Sequence, residues 1–158
     1  MRQLCRIKIL VVTIVALSCS MATGGEEDVL EALERIKAAI EDGASREELA
    51  PLLDNAKMHI DRLQRGDVRK DCFRAATRRS HYWYDLGVKS WGALMENQKK
   101  RDRYRRKAEY GEYDMREISQ KMADNYDKLI RHAQDALPSN WAHGNAALDR
   151  ARECSDLK

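Results

Sequence analysis

The chain has 158 residues, a formal net charge of +3, 35% charged residues, two prolines, eight glycines and ten aromatic side chains. Its length suits one domain, and turn-forming residues this sparse disfavour a sandwich or barrel of short strands, in which each hairpin needs its own turn signal. The composition also excludes collagen-like, low-complexity and multi-span membrane classes, so we expect a small, mostly helical protein.

The first 22 residues have the pattern of an export signal. Arg2, Arg6 and Lys8 form a basic head, and a nine-residue run at 9–17 follows that is almost wholly apolar. A membrane-spanning helix needs about 20 such residues, so this run is interpreted as the core of a cleaved signal peptide. We expect an exported protein, periplasmic or secreted, whose residues 23–158 form a single helical-bundle domain with no membrane span.

Two processing routes are open for this leader. Ser20 and Ala22 place small residues at the −3 and −1 positions of an ordinary cleavage after residue 22. Leu17, Ser18 and Cys19 also fit a permissive lipobox, in which a lipoprotein leader 1–18 is removed and a lipid caps the Cys19 sulfur. The second route would leave the protein as an envelope lipoprotein, tethered to a membrane by lipid alone.

Removal of the leader changes the charge balance. The leader holds three bases and no acid, so residues 23–158 contain 26 bases and 26 acids. Their distribution is uneven, with a net charge of −7 over residues 23–54, +10 over 55–107 and −3 over the remainder. We call residues 23–54 the acidic front and residues 55–107 the basic middle. We expect the two to pack against each other, and a site for an external polyanion is the alternative.

Two short amphipathic helices are predicted to begin the mature chain. Apolar residues recur every three or four positions over about 26–42, which indicates the first helix. Ser45 and Glu48 form a capping box that starts the second, which extends to about Leu63. Pro51 lies one turn inside it and predicts a kink or a delayed start.

A long helical hairpin is predicted to follow. No proline interrupts residues 67–109, and a helix of that length measures on the order of 60 Å, with Gly87 and Gly92 marking a bend or a close helix crossing. A fourth helix is predicted from apolar residues at spacings of three and four: Met115, Ile118, Met122, Tyr126, Leu129, Ala133 and Leu137. We expect Pro138 to stop it and a last helix to run from Trp141 to about Glu153. The fold class is all-α, an antiparallel bundle of four to five helices with one long helical hairpin.

The cysteines agree with export. Cys5 lies in the leader and Cys19 is either discarded or lipidated, so both routes leave Cys72 and Cys154. A pair of cysteines is the minimum for one bridge in an oxidising compartment, and we predict a Cys72–Cys154 disulfide, with two buried free thiols as the alternative. No CxxC or Cys/His cluster in the sequence supplies further metal ligands.

The densest charge run lies near the end of the third helix. Residues 99–107 carry seven bases and one acid: the bases are Lys99, Lys100, Arg101, Arg103, Arg105, Arg106 and Lys107. Tyr104 is the only apolar residue among them, so we expect a projecting hairpin tip. This tip is either a solvated helix end or an arm that binds anionic headgroups, a cell-wall polymer or an acidic partner. Nucleic acid is disfavoured, because the leader directs the chain away from it and no base-stacking aromatic platform accompanies the charge.

The densest aromatic patch comprises His81, Tyr82, Trp83 and Tyr84, with Trp91 two turns further on. Four consecutive residues point around most of a helix, so they cannot all face one core. We expect core packing for this patch, and a ligand or partner groove is the alternative.

No catalytic motif accompanies these features. The sequence contains no nucleophile elbow, glycine-rich phosphate loop or HExxH motif. We therefore expect a non-enzymatic binding or adaptor protein of the cell envelope, without metal or cofactor, whose basic tip and aromatic patch contact an anionic surface or an unidentified protein partner. One alternative is a small exported four-helix haem or cofactor carrier, with haem held by residues such as Met58 and His132. The other is a structural envelope protein that oligomerises through its helices.

Overall fold

A computed structural model describes residues 25–156; the predicted leader and Cys19 lie outside them. This part of the chain forms four α-helices and no strand: α1 (Glu26–Glu41), α2 (Arg46–Arg62), α3 (Val68–Tyr110) and α4 (Tyr113–Ser155). The prediction of an all-α fold with one long helical hairpin is confirmed, with four helices in the described residues rather than five.

α1 and α2 form a short hairpin whose turn follows from its residues. Gly43 has a φ of 76°, a left-handed conformation that glycine adopts without a steric penalty. Ser45 Oγ accepts a hydrogen bond from the Glu48 backbone N–H at 3.3 Å, and the Glu48 carboxylate accepts one from the Ser45 N–H at 2.6 Å. The second bond lowers the pKa of Glu48. α2 starts at Arg46, so Pro51 does not delay it.

α3 and α4 are 43 residues each and pack antiparallel. The Cys72–Cys154 disulfide joins the beginning of α3 to the end of α4, with 5.7 Å between the two Cα atoms, and confirms the predicted bridge. Further along, Ser80 Oγ donates to the Gly144 carbonyl at 2.9 Å. These contacts fix the register of the hairpin.

The predicted break at Pro138 is wrong. α4 passes through Pro138 and continues to Ser155, so the expected fifth helix, 141–153, is the second half of α4. Pro138 is exposed, and the carbonyl that loses its helical partner can therefore bond water. A row of α4 residues at spacings of three and four packs inward on both sides of the proline: Ile130, Ala133, Leu137, Asn140 and Gly144. This seam with α3 outweighs the local cost of the proline.

Only part of the apolar row that predicted α4 faces α3. The inward residues in the first half of α4 are mostly small, with Ser119 1%, Ala123 0% and Ile130 4% exposed. Three larger side chains of the row lie on a flank instead: Met115 is 48%, Ile118 55% and Leu129 50% exposed. Small residues at the seam let two long helices approach closely, so the larger side chains are displaced to the side.

The main hydrophobic core occupies one end of the hairpin, here called the base. It combines residues from all four helices, including Leu33, Leu53, Phe73 and Leu148. α1 and α2 reach only as far as Trp91 and Gly92, where the end of α1 and the beginning of α2 meet α3. Beyond them α3 and α4 continue alone as a two-helix projection, residues 95–129, which we call the arm.

Candidate functional site

The basic tract lies on the arm, and part of it is neutralised there. Lys100 pairs with Glu96 at 2.5 Å, and Arg105 pairs with Asp127 of α4 at 2.8 Å. Arg101 lies 2.8 Å from Asp102 and 3.5 Å from Asp127. The other four cations of the tract make no ion pair with any side chain that the structure describes; they are Lys99, Arg103, Arg106 and Lys107, which we call the cation stripe.

The cation stripe lies on one face of α3. At about 100° per residue, its four members and Tyr110 fall within roughly 100° of each other around the helix. All are exposed, and Tyr110 at the end of the row is 78% exposed. The paired residues Arg101 and Arg105 point instead towards α4, where Asp127 receives them. The stripe is therefore the side of the arm that faces away from α4.

The same face of α3 is covered by α2 at the base. His81 Nε2 lies 3.1 Å from the Leu53 carbonyl of α2, and the side chain of Arg46 lies against Gly92. Lys99 comes two turns beyond Gly92 along α3, past Arg46, the first residue of α2. The cation stripe thus begins where the covering helix stops.

The acidic front neutralises the base of the hairpin rather than the arm. Glu26 pairs with Arg69 at 2.6 Å, and Glu34 pairs with Arg152 near the end of α4. The expected packing of the acidic front against the basic middle therefore holds for Arg69, at the start of α3, and does not reach residues 99–107. Glu109 and Glu112 lie at the apex of the hairpin, so an anion would approach the stripe from the side.

A cleft of about 360 Å³ lies at the foot of the stripe. Arg46, Trp91, Met95, Glu96 and Lys99 are among its lining residues. Acidic and basic side chains alternate there, which does not favour a ligand of one charge. This cleft could not be predicted from the sequence, because Arg46 meets α3 only through tertiary packing.

Three members of the aromatic patch belong to the interior or to a helix interface. Tyr84 is fully buried, and its hydroxyl donates to Asn145 Oδ1 at 2.7 Å. Trp91 is partly buried against the main core. His81 lies at the interface with α2, as described above. Of the three, Tyr84 presents no surface to a partner, and Trp91 reaches solvent only as part of the cleft wall.

The other two members face outward. Tyr82 is 57% exposed, and its ring meets that of Trp83 edge-on at 5.3 Å. Trp83 in turn lies against the His143 ring of α4, with 4.6 Å between the ring centroids. The structure therefore separates the patch, and only Tyr82, Trp83 and His143 form a small outward-facing group near the base.

The residues considered for haem or metal are not brought together. Met58 lies on α2 and His132 on α4, and these two helices do not approach each other. Over residues 25–156 there is also no group of three His, Cys, Asp or Glu residues placed to hold a metal ion. None of the described helices has a stretch long and apolar enough to cross a bilayer.

Burial gives Tyr84 a testable signature. Its desolvation raises the pKa of the hydroxyl, while an unfolded tyrosine ionises near pH 10. The unfolded chain then releases a proton that the folded chain keeps, so stability should fall as pH rises above about 10. We expect Tyr84→Phe to lower stability by about 1 kcal/mol at neutral pH, through the lost hydrogen bond, and to flatten the alkaline decline.

Urea unfolding between neutral and alkaline pH measures both effects. Tyr82→Phe is the matched control, because Tyr82 is 57% exposed, and it should leave the alkaline decline unchanged. Equal pH slopes for the wild type and Tyr84→Phe would show that this hydroxyl does not stay protonated in the fold.

Comparisons with known proteins add no family to this description. The chain matches no protein-family model, and no curated protein or solved structure shows significant similarity to it. A function for this chain has to be argued from the geometry and charge of its own residues.

Proposed function

We propose that the protein is an exported, non-enzymatic helical adaptor of the cell envelope whose arm contacts an anionic surface side-on. The observation that supports this is the cation stripe, in which four exposed cations without an ion pair share one uncovered face of α3. Each cation near an anionic surface contributes about 1 kcal/mol. Four of them provide a weak contact that salt readily screens.

The pairing pattern favours binding over a merely solvated helix end. Where α3 faces α4, Asp127 is present to pair with Arg101 and Arg105. On the stripe, Arg103 lies four residues from both Lys99 and Lys107, and like charges at that spacing destabilise a helix by about 0.2–0.5 kcal/mol per pair. An anionic surface would relieve this repulsion.

The position of the first described residues relates the arm to the start of the chain. Glu26 pairs with Arg69 at the start of α3, so α1 begins at the base. From Arg69 to Tyr110 the helix rises roughly 60 Å. If the lipoprotein route operates at Cys19, the anchor is attached six residues before Gly25, at the end opposite the arm. The arm would then be the part of the described chain furthest from the residue that leads to the anchor.

Charge reversal of the stripe tests the proposal. Cosedimentation of the variant K99E/R103E/R106E/K107E with vesicles of phosphatidylglycerol and phosphatidylcholine should fall by more than about tenfold. The reason is that four cations that attract anionic headgroups become four anions that are repelled by them. Binding of the wild type should itself fall as salt is raised from about 50 mM to about 300 mM.

The control variant has the same change in net charge at the base. R35E/K57E/K89E/R150E reverses four exposed cations of α1, α2, α3 and α4 outside the arm. It should bind vesicles as the wild type does, and circular dichroism should confirm that both variants fold. Equal retention of the stripe variant, or an equal loss in the control, would contradict a contact made by the arm.

A further inference from the structure

α4 carries a second apolar row in addition to the row that packs against α3. Met115, Met122 and Leu129 follow each other at intervals of seven residues, and Ile118 lies beside them on the same flank. Met115, Ile118 and Leu129 are about half exposed, and Met122 is partly buried. We call these four residues the apolar flank. A seven-residue repeat of this kind is the pattern with which a helix faces another helix.

The apolar flank lies on the side of the hairpin away from α1. Arg152, which pairs with Glu34 of α1, marks the side that α1 covers. Arg150 lies three intervals of seven residues beyond Leu129. It is two positions before Arg152, which places the two side chains about 200° apart around α4. At the base, α1 packs against both α3 and α4 on its own side. The described helices leave the groove on the opposite side of the arm uncovered.

Lysines border this groove on both helices. By the same helical spacing, Lys100 and Lys107 lie at its α3 edge and Lys121 and Lys128 at its α4 edge, and all four are exposed. Lys100 and Lys121 each pair with a glutamate one turn earlier on their own helix, at 2.5 and 2.6 Å. Such exposed pairs contribute only about 0.3–0.5 kcal/mol and exchange readily for other partners.

Aromatic rings close the groove between its two edges. Tyr104 of α3 and Tyr126 of α4 stack with 5.8 Å between their centroids, and Lys107 Nζ lies 5.7 Å from the Tyr104 centroid. The groove therefore has an apolar and aromatic floor, with a cationic border on each side.

We propose that the apolar flank docks an acidic amphipathic helix of a partner protein, which becomes the third helix of the arm. The apolar side of such a helix would cover Met115, Ile118, Met122 and Leu129, and its acidic margins would meet the two lysine edges. The row from Met115 to Leu129 measures about 21 Å, which is close to four helical turns. The inference goes beyond the proposed function, because the apolar flank lies on α4 and shares only Lys107, at its α3 edge, with the cation stripe.

Charge favours an acidic helix over the two other partners that could cover the apolar flank, a second copy of the chain and a bilayer. A second copy of the chain, related by two-fold symmetry, would set lysine edges against each other. A bilayer is planar and does not fit a groove between two helices, and its anionic headgroups would meet Glu117, which pairs with Lys121 at the α4 edge. An acidic helix satisfies both edges at once.

A synthetic peptide serves as the probe in place of the partner. It has three heptads with leucine at the two apolar positions and glutamate at the flanking positions, which also keeps it from associating with itself. Titrated into the mature protein, this peptide should bind at least about tenfold more tightly than a version with lysine at the flanking positions. The double variant Ile118→Ser/Leu129→Ser should weaken its binding by at least about tenfold.

The control is Met58→Ser/Val68→Ser, which removes two apolar side chains that are 42% and 86% exposed and lie outside the arm. It should bind the glutamate peptide as the wild type does. Equal affinity for both peptides, or unchanged affinity in the flank variant, would overturn the proposal. A concentration-dependent mass in light scattering that the flank variant abolishes would assign the flank to a second copy, and loss of vesicle binding in that variant without peptide binding would assign it to lipid; either result also overturns it.

Discussion

The double variant Cys72→Ala/Cys154→Ala is expected to unfold with a free energy roughly 4 kcal/mol lower than that of the wild type. The bridge joins residues separated by 82 positions, and opening a loop of that size returns about this much conformational entropy to the unfolded chain. It also releases the start of α3 from the end of α4, where Cys154 is fully buried in the main core. Urea unfolding followed by circular dichroism measures the difference.

Reduction provides the control for this variant. The reduced wild type should match the double variant, because both lack the bridge and keep the rest of the core. The effect should appear as a lower denaturant midpoint. A loss below about 1 kcal/mol would contradict the role of the bridge in holding the base together.

Gly144→Ala is expected to lower the free energy of unfolding by about 1–3 kcal/mol, although alanine favours a helix by about 1 kcal/mol over glycine. A Cβ at position 144 would lie 2.5 Å from Cε1 of Tyr84. The Tyr84 ring cannot easily yield, because it is fully buried and its hydroxyl is bonded to Asn145. A Cβ at Gly87 would likewise overlap the ring of Trp141, so that of the two alternatives, a bend or a close helix crossing, Gly87 marks a crossing.

Gly92→Ala is the matched control for this effect. A Cβ there would lie 3.1 Å from the guanidinium carbon of Arg46, the end of a flexible side chain that can move aside. The substitution should be neutral or stabilise the protein by up to about 1 kcal/mol. If Gly144→Ala stabilised the protein to the same degree, the two helices would not cross as closely as described.

The parts of the fold that were predictable are those set by local chemistry. Ser45 and Glu48 cap α2 as their spacing indicates, and Asp67 caps α3 by accepting from the Lys70 N–H at 2.9 Å. The disulfide was predictable because Cys72 and Cys154 are the only cysteines outside the predicted leader, residues 1–22. None of these inferences requires knowledge of how the helices pack together.

The parts that were not predictable depend on the seam between α3 and α4. Pro138 is a strong local stop signal, but it lies on the exposed side of a helix held by packing on both sides of it. In the first half of α4, the apolar row that predicted the helix includes Met115, Ile118 and Leu129, which lie on a flank about half exposed. Two long helices select small residues for their seam, and periodicity alone does not distinguish that row from the larger row beside it.

The candidate site was also predictable only in part. The excess of bases at 99–107 is visible in the sequence, but which cations remain without an ion pair is not. Asp127 lies 26 residues beyond Arg101 in the chain and reaches it only because the hairpin brings α4 alongside α3. The aromatic patch also could not be divided into its inner and outer members before the position of α2 was known.

Hydrogen–deuterium exchange of the protein, with and without anionic vesicles, tests the central claim most directly. The arm has little core of its own, so its amides should open more readily than those of the base. Binding through the cation stripe should slow exchange over residues 95–110 and leave residues 73–91 unchanged. Slower exchange centred on Tyr82 and Trp83, or no change in the arm while the protein remains bound to the vesicles, would contradict the account.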